Sequence, residues 1–204
     1  MTTYRTYTVH ELVKDNKLEI LKRTLDESED GNKLLHELDA KGLHCIHIAA
    51  YVGEITMVNE LIRRGTDEDM KRPDGMTPLL IAAMRGTSKH GELVISLAKA
   101  GADVNIKGPM GFTCMHFLCS KGQLEPLKAL LEDKNIGLQI NTRSQELNTP
   151  LHVAITNNNL EIALYLVSKG ADKTVKNGSG KTPLECLRLR RVHPSLSLPQ
   201  GESG

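Results

Sequence analysis

The string Gly178-Ser179-Gly180-Lys181-Thr182 carries the residue types of a phosphate-binding loop. Such a loop sets a Gly five residues before its Gly-Lys pair, because consecutive backbone N–H groups must wrap the phosphate. Here that position is Val175, Pro183 follows at once, and no strand-like apolar run precedes. Cys114, His116 and Cys119 form C-x-H-x-x-C, a spacing that suggests zinc. A structural zinc site wants four well-placed ligands, and no other Cys falls nearby. His47, His116 and His152 recur in similar surroundings, but a catalytic histidine needs a nucleophile and an orienting acid. Neither accompanies them. Asn177-Gly178-Ser179 is a glycosylation sequon without the export signal that would give it use. Two readings stay open for Arg188, Arg190 and Arg191: a nuclear-import or acidic-partner patch, or a solvated face. The acidic run at 26–30 (DESED) reads as a solvated, lengthened loop or as an attractor for a basic peptide. The expectation is a non-enzyme with no cofactor and no metal.

The composition narrows the class further. The 204 residues include no Trp, four Tyr and two Phe, with hydrophobic residues at 39%. Aromatics normally bury about 150–250 Å² each, so this core must be filled by Leu, Ile, Val, Ala and Met. That suits a thin helical layer and argues against base-stacking nucleic-acid platforms. A net charge of +1 gives no bulk basic field. No apolar run approaches the roughly 18–20 residues that span a bilayer, so membrane insertion is not expected. Cys45, Cys114, Cys119 and Cys186 are scattered in a chain that opens without a secretory pattern. An intracellular, reduced setting is expected, cytoplasmic or nuclear.

Internal repeats organise the chain. "MTPLLIAAMRG" at 76–86 recurs as "FTCMHFLCSKG" at 112–122, "NTPLHVAITNN" at 148–158 and "KTPLECLRLRR" at 181–191, with "LHCIHIAAYVG" at 43–53 before them. Aligning His44, Thr77, Thr113, Thr149 and Thr182 gives steps of 33, 36, 36 and 33. "RRGTDED", "KAGADVN" and "SKGADKT" keep the same phase. Thr-Pro at 77–78, 149–150 and 182–183 predicts a helix N-cap followed by Pro at the first helical position. Each helix is expected to stop near Gly53, Gly86, Gly122 or Asn158. A second helix follows, with apolar residues at helical spacing and a Gly at its end. Small pairs such as Ala82-Ala83 mark where helices approach closely.

Paired helices, the TPLH-type box and "GADVN" resemble the ankyrin repeat over residues 8–191. The resemblance implies an all-α solenoid of helix-turn-helix units with projecting β-turn fingers. It divides the chain into a lead at 1–7, a single ankyrin-repeat domain at 8–193 and a disordered tail at 194–204. Within the domain lie a capping helix pair at 8–40, repeats at 41–74, 75–110, 111–146 and 147–179, and a half-repeat cap at 180–193. It also implies that His47, His116 and His152 brace adjacent loops. Cys114 falls on the Pro position of the motif. Thr87-Ser88-Lys89 is an insertion between the helices of its unit, and residues 135–138 are another. Leu147 stands where Gly is usual, so a distorted finger is expected there.

In ankyrin families the finger and the late part of the first helix contact partners. By repeat phase these positions are Lys41, Leu43, Tyr51 and Val52; Asp74, Met76, Met84 and Arg85; Met110, Phe112, Cys119 and Ser120; Glu146, Asn148, Thr156 and Asn157. The expected partner-binding set is Leu43, Tyr51, Val52, Met76, Met84, Arg85, Met110, Phe112, Asn148 and Asn157. Its apolar members form a run suited to an interface core. Phe112, Met84 and Tyr51 are the expected anchors. The remaining rings divide otherwise: Phe117 and Tyr165 fall on packing positions, Tyr4 and Tyr7 at the entry to the cap. The function this predicts is a non-catalytic adaptor or inhibitor, monomeric, binding a peptide or folded protein domain. The alternatives are a short inhibitor of Rel/NF-κB-type transcription factors, or the regulatory array of a larger enzyme.

Overall fold

The computed structural model describes residues 7–186, apart from the side chain of Asn32. The helices follow in the order α1 (Val9–Lys14), α2 (Leu18–Glu27), α3 (Gly31–His36), α4 (Cys45–Val52), α5 (Ile55–Arg63), α6 (Pro78–Arg85) and α7 (Ser88–Ala100). A 3₁₀ turn at Pro109–Gly111 precedes α8 (Cys114–Lys121), α9 (Leu124–Glu132), α10 (Pro150–Thr156) and α11 (Leu160–Ser168). Residues 183–186 are helical where the description ends, and the described residues contain no strand. The half of the expected cap beyond Cys186, its arginines and the expected tail lie outside the described residues.

The first helices α4, α6, α8 and α10 stack side by side, and each packs against its own second helix. Their sequences explain the layer. Ala49, Ala50, Ala82, Ala83 and Ala154 are buried at the close approaches, with Leu, Ile and Met filling the space between. Thr77 caps α6 by accepting from the Leu80 N–H (3.3 Å), and Thr149 caps α10 by accepting from His152 N–H. Pro78 and Pro150 occupy the first helical position, where their missing N–H has no intrahelical partner to lose.

The imidazoles of His116 and His152 tie one unit to the next, and that of His47 holds the loop of its own repeat. In His47, His116 and His152, Nδ1 accepts from the backbone N–H of His44, Thr113 and Thr149, each at 3.2 Å. An accepting Nδ1 leaves the proton on Nε2, which donates to Met70 O (2.9 Å), Asn148 O (3.1 Å) and Lys181 O (3.0 Å). The second unit lacks this brace: Leu80 stands at the position and is fully buried. A Cβ on Gly108 would come within 2.7 Å of Leu80 Cδ1, so that joint is closed by apolar contact with a glycine. A second ladder runs at the helix turns. His90 Nε2 meets Tyr51 O (3.0 Å), Gln123 Nε2 donates to Thr87 O (3.0 Å), and Asn159 Nδ2 donates to Cys119 O (2.7 Å).

Three local expectations change. The leading segment forms three helices, α1 to α3, where a pair is expected. Asp26 and Glu27 of the acidic run finish α2, and Asp26 reaches Arg64, the C-cap of α5, at 2.7 Å. Arg64 and Arg63 also hold Glu60, whose carboxyl is pushed down to about 2 by its hydrogen bonds to Arg63 and Arg64. Thr87-Ser88-Lys89, expected between the helices, belongs largely to the second of them. Thr87 is the N-cap of α7 and Ser88 its first residue, so the insertion extends that helix to 13 residues against 9 in α5, α9 and α11.

Burial holds the His116 imidazole down at about 4, against 6.5 ordinarily, so it is neutral in the fold. A depressed folded value means its contribution is complete above pH 6.5 and is lost as pH falls toward 4. The loss is on the order of 3 kcal/mol. His116→Leu, which copies the Leu80 joint, should lower the urea midpoint at pH 7.5. It should also flatten the decline between pH 7.5 and 4.5; an unchanged decline would show that His116 does not carry it.

Candidate protein-interaction surface

Five fingers share one hydrogen-bond pattern. In each, a backbone N–H reaches the carbonyl four residues on: Asp39 to Leu43 (2.9 Å), Arg72 to Met76 (2.9 Å), Gly108 to Phe112 (2.8 Å), Ser144 to Asn148 (3.0 Å) and Asn177 to Lys181 (2.9 Å). A row of side chains joins the finger bases. Asp69 accepts from Asp103 N–H (2.9 Å), Asn105 from Gln139 N–H (3.0 Å) and Asn141 from Asp172 N–H (2.9 Å). The last three tips are also bonded backbone to backbone, Gln145 N–H to Met110 O (2.9 Å) and Gly178 N–H to Glu146 O (2.7 Å). The fingers are thus held as one preorganised edge.

Leu147 does not distort its finger. It adopts φ 58°, the left-handed conformation that Gly75 (φ 82°) supplies in the second finger, and the hydrogen-bond pattern is kept. Met110 also sits at φ 58°. For side chains with a Cβ this conformation costs about 1–2 kcal/mol. Both side chains are large, apolar and exposed, Met110 at 57% and Leu147 at 41%.

The expected partner set divides on burial. Tyr51 is 52% exposed, and the Arg85 guanidinium lies 4.3 Å from its ring centroid, so these two form one stacked pair across units. Met110, Arg85 and Asn157 are exposed; Leu43, Val52, Met84, Phe112 and Asn148 are half-buried. Met76 is a correction. It is 3% exposed, with its sulfur turned toward Gly108 of the next finger, and offers nothing to a partner. Cys119 is likewise fully buried, because it aligns with Ala50 and Ala83; the outward pair of that unit is Ser120 and Lys121. Phe112 stacks on His116 (5.0 Å, 22°) and meets Phe117 edge-on (5.5 Å), so truncating it disturbs the fold. Asn148 links fingers by accepting from Asn177 Nδ2 at 2.9 Å. Leu147 and Lys121 were not in the expected set, although the exchange of Leu for Gly was the visible signal for the first.

The chemistry-bearing motifs are occupied by structure. Both His116 nitrogens are engaged, Cys114 Sγ donates to Val104 O (3.2 Å), and burial pushes the Cys114 thiol up to about 12. Burial raises Cys119 further. In the Gly-Ser-Gly-Lys-Thr string, the N–H groups of Ser179 and Lys181 both reach Asn177 Oδ1 at 3.1 Å. Gly178 N–H is spent on Glu146 O, and Thr182 N–H on Glu185 Oε2. Asn177, the sequon residue, is half-buried and holds three groups. Among the described residues, Leu151, Ile155, Leu160, Leu164 and Leu184 line a groove of about 620 Å³.

The family model for ankyrin repeats matches residues 9–108 and 87–177, and the chain belongs to the ankyrin repeat family. That fold serves interaction rather than catalysis. The chain is 28% identical to alpha-latrocrustotoxin-Lt1a of Latrodectus tredecimguttatus over 83% of its length, spanning 9% of that toxin. It is 35% identical over 35% of its length to the I-Kappa-B like protein C2 of Microplitis demolitor bracovirus, covering 41% of it. It is 26% identical over 68% of its length to the nuclear factor NF-kappa-B p105 subunit of Gallus gallus, covering 14% of it. The chain thus spans less than half the length of these relatives. No described helix is long and apolar enough to cross a membrane.

Leu147→Gly should relieve its strained φ, whereas Leu147→Val places a β-branched side chain there. The Gly variant should exceed the Val variant by about 2 kcal/mol in urea unfolding. Equal stabilities would mean that the left-handed conformation carries no strain.

Proposed function

We propose that this chain is a non-catalytic protein-interaction module that binds a protein partner across its fingers and first helices. The observation that supports this most is the placement of Met110 and Leu147. Large apolar side chains stand exposed at strained tips of a hydrogen-bonded edge, a combination that binding sites retain. Tyr51 with Arg85 supplies the aromatic and guanidinium pair typical of interface centres. The fixed edge lowers the ordering cost of association. In this reading the chain acts as a monomeric adaptor or inhibitor in an intracellular setting, cytoplasmic or nuclear. The buried thiols of Cys45, Cys114 and Cys119 suit a reducing compartment.

The likeness to the I-Kappa-B like protein C2 favours a second, narrower reading, an inhibitor of Rel/NF-κB-type transcription factors. Binding to a purified Rel-homology domain separates it from an unrelated adaptor.

Tyr51→Ala with Met110→Ala removes two exposed side chains and should leave the melting temperature nearly unchanged. It should weaken partner binding by about 2 kcal/mol or more, roughly thirtyfold. Affinity capture from native extract, followed by titration of the captured protein, reads this directly. A double variant that folds and binds normally removes the surface from the account.

A further inference from the structure

We propose that the finger edge recognises an acidic, extended segment of its protein partner, with carboxylates spaced three residues apart. This rests on the interaction reading above and specifies its partner. The residue just before each finger turn is Leu38, Lys71, Lys107, Arg143 or Lys176. All five are exposed, and four successive units place a cation at the same structural position. Among the described residues no carboxylate lies within ion-pair distance of these four cations. Lys107 Nζ donates to Arg143 O (2.9 Å) and Arg143 Nη2 to Lys176 O (2.7 Å), so the side chains lean along the row. An ammonium has three donors and a guanidinium five, so each keeps donors for a ligand.

The rest of this face adds to the field. The first helices α4, α6, α8 and α10 contain no Asp or Glu and contribute Arg85 and Lys121. Of the carboxylates at the tips, Asp74 is paired with Arg72 at 3.0 Å, and Glu146 accepts from Asn148 Nδ2 at 3.2 Å. Glu60, Glu92, Glu125, Glu132 and Glu161 are on the second helices. A net charge of +1 therefore conceals basic finger tips, whereas Asp67, Glu68, Asp69, Asp103 and Asp172 at the finger bases carry the opposite sign.

Spacing selects the ligand. Helices stacked side by side lie about 8–10 Å apart, which sets the step between fingers. A polyproline-II segment rises about 3.1 Å per residue with three residues per turn, so every third side chain shares a face at about 9.3 Å. Carboxylates at that interval meet successive cations, and an apolar residue one step beyond meets Leu38, 57% exposed. A nucleic acid would exploit the charge, but this edge offers it no row of aromatic rings on which bases could stack.

The test uses the whole chain and labelled peptides of about fifteen residues. One carries Leu first and Glu at every third position after it, with Pro and Ala between; its isomer has the Glu residues in one block. Oligothymidine of similar length is the third probe. Fluorescence anisotropy should show the spaced peptide binding at least about tenfold more tightly than its isomer, with affinity falling as salt is added. Lys71→Glu with Lys176→Glu should cost it at least about tenfold again. Neither side chain holds another residue, and a melting curve checks the fold. Equal binding of the isomers, tighter binding of oligothymidine, or an unaffected double variant overturns the proposal. A captured protein that the double variant still holds would overturn it while leaving the interaction reading standing.

Discussion

A stack of helix pairs has no single centre, so each joint must be closed by the residues that meet there. The interaction on which the array depends is the imidazole shared between two backbones. Its Nδ1 completes the N-terminus of one helix and its Nε2–H holds a carbonyl of the following unit. One side chain thereby sets both a helix start and the position of the next finger. Its buried state requires the neutral ring, which makes these joints sensitive to acid. Where Leu80 replaces the imidazole, the joint closes by contact with Gly108 instead, so the chain contains both solutions.

That dependence has a consequence for the binding face. The imidazoles, the Asp69–Asn105–Asn141 row and the tip-to-tip backbone bonds fix the fingers before any partner arrives. The exposed side chains of Met110 and Leu147 are then free of structural duty. Met110 and Leu147 use that freedom at a conformational cost, and Tyr51 with Arg85 lines the helix side of the same surface. The charged row on the fingers gives the edge a direction and a period.

Much of this was legible in the residues. Thr-Pro pairs, the repeated histidine and the glycine stops each carry a local reason for their place, and those reasons agree around the array. The phase was harder to read where the motif drifts. In "TCMHFLCSKG" the Cys at 119 resembles a surface position, yet it aligns with the buried alanines of its neighbours. Met76 looked like a finger contact because periodicity alone does not say which way a side chain turns. Leu147 was legible as a departure but not in its outcome, because the hydrogen bonds of the finger outweigh the strain. Composition concealed the basic finger tips, since charges balanced over the whole chain are not balanced over each part of a finger.

The central claim is that a partner lies along the fingers and the ends of the first helices. Hydrogen–deuterium exchange of the chain, alone and with its captured partner, tests it most directly. Added protection is expected in the fingers at 71–76, 107–112 and 143–148 and at the helix ends near Tyr51 and Arg85. Protection confined to the second helices, α5, α7, α9 and α11, would contradict it.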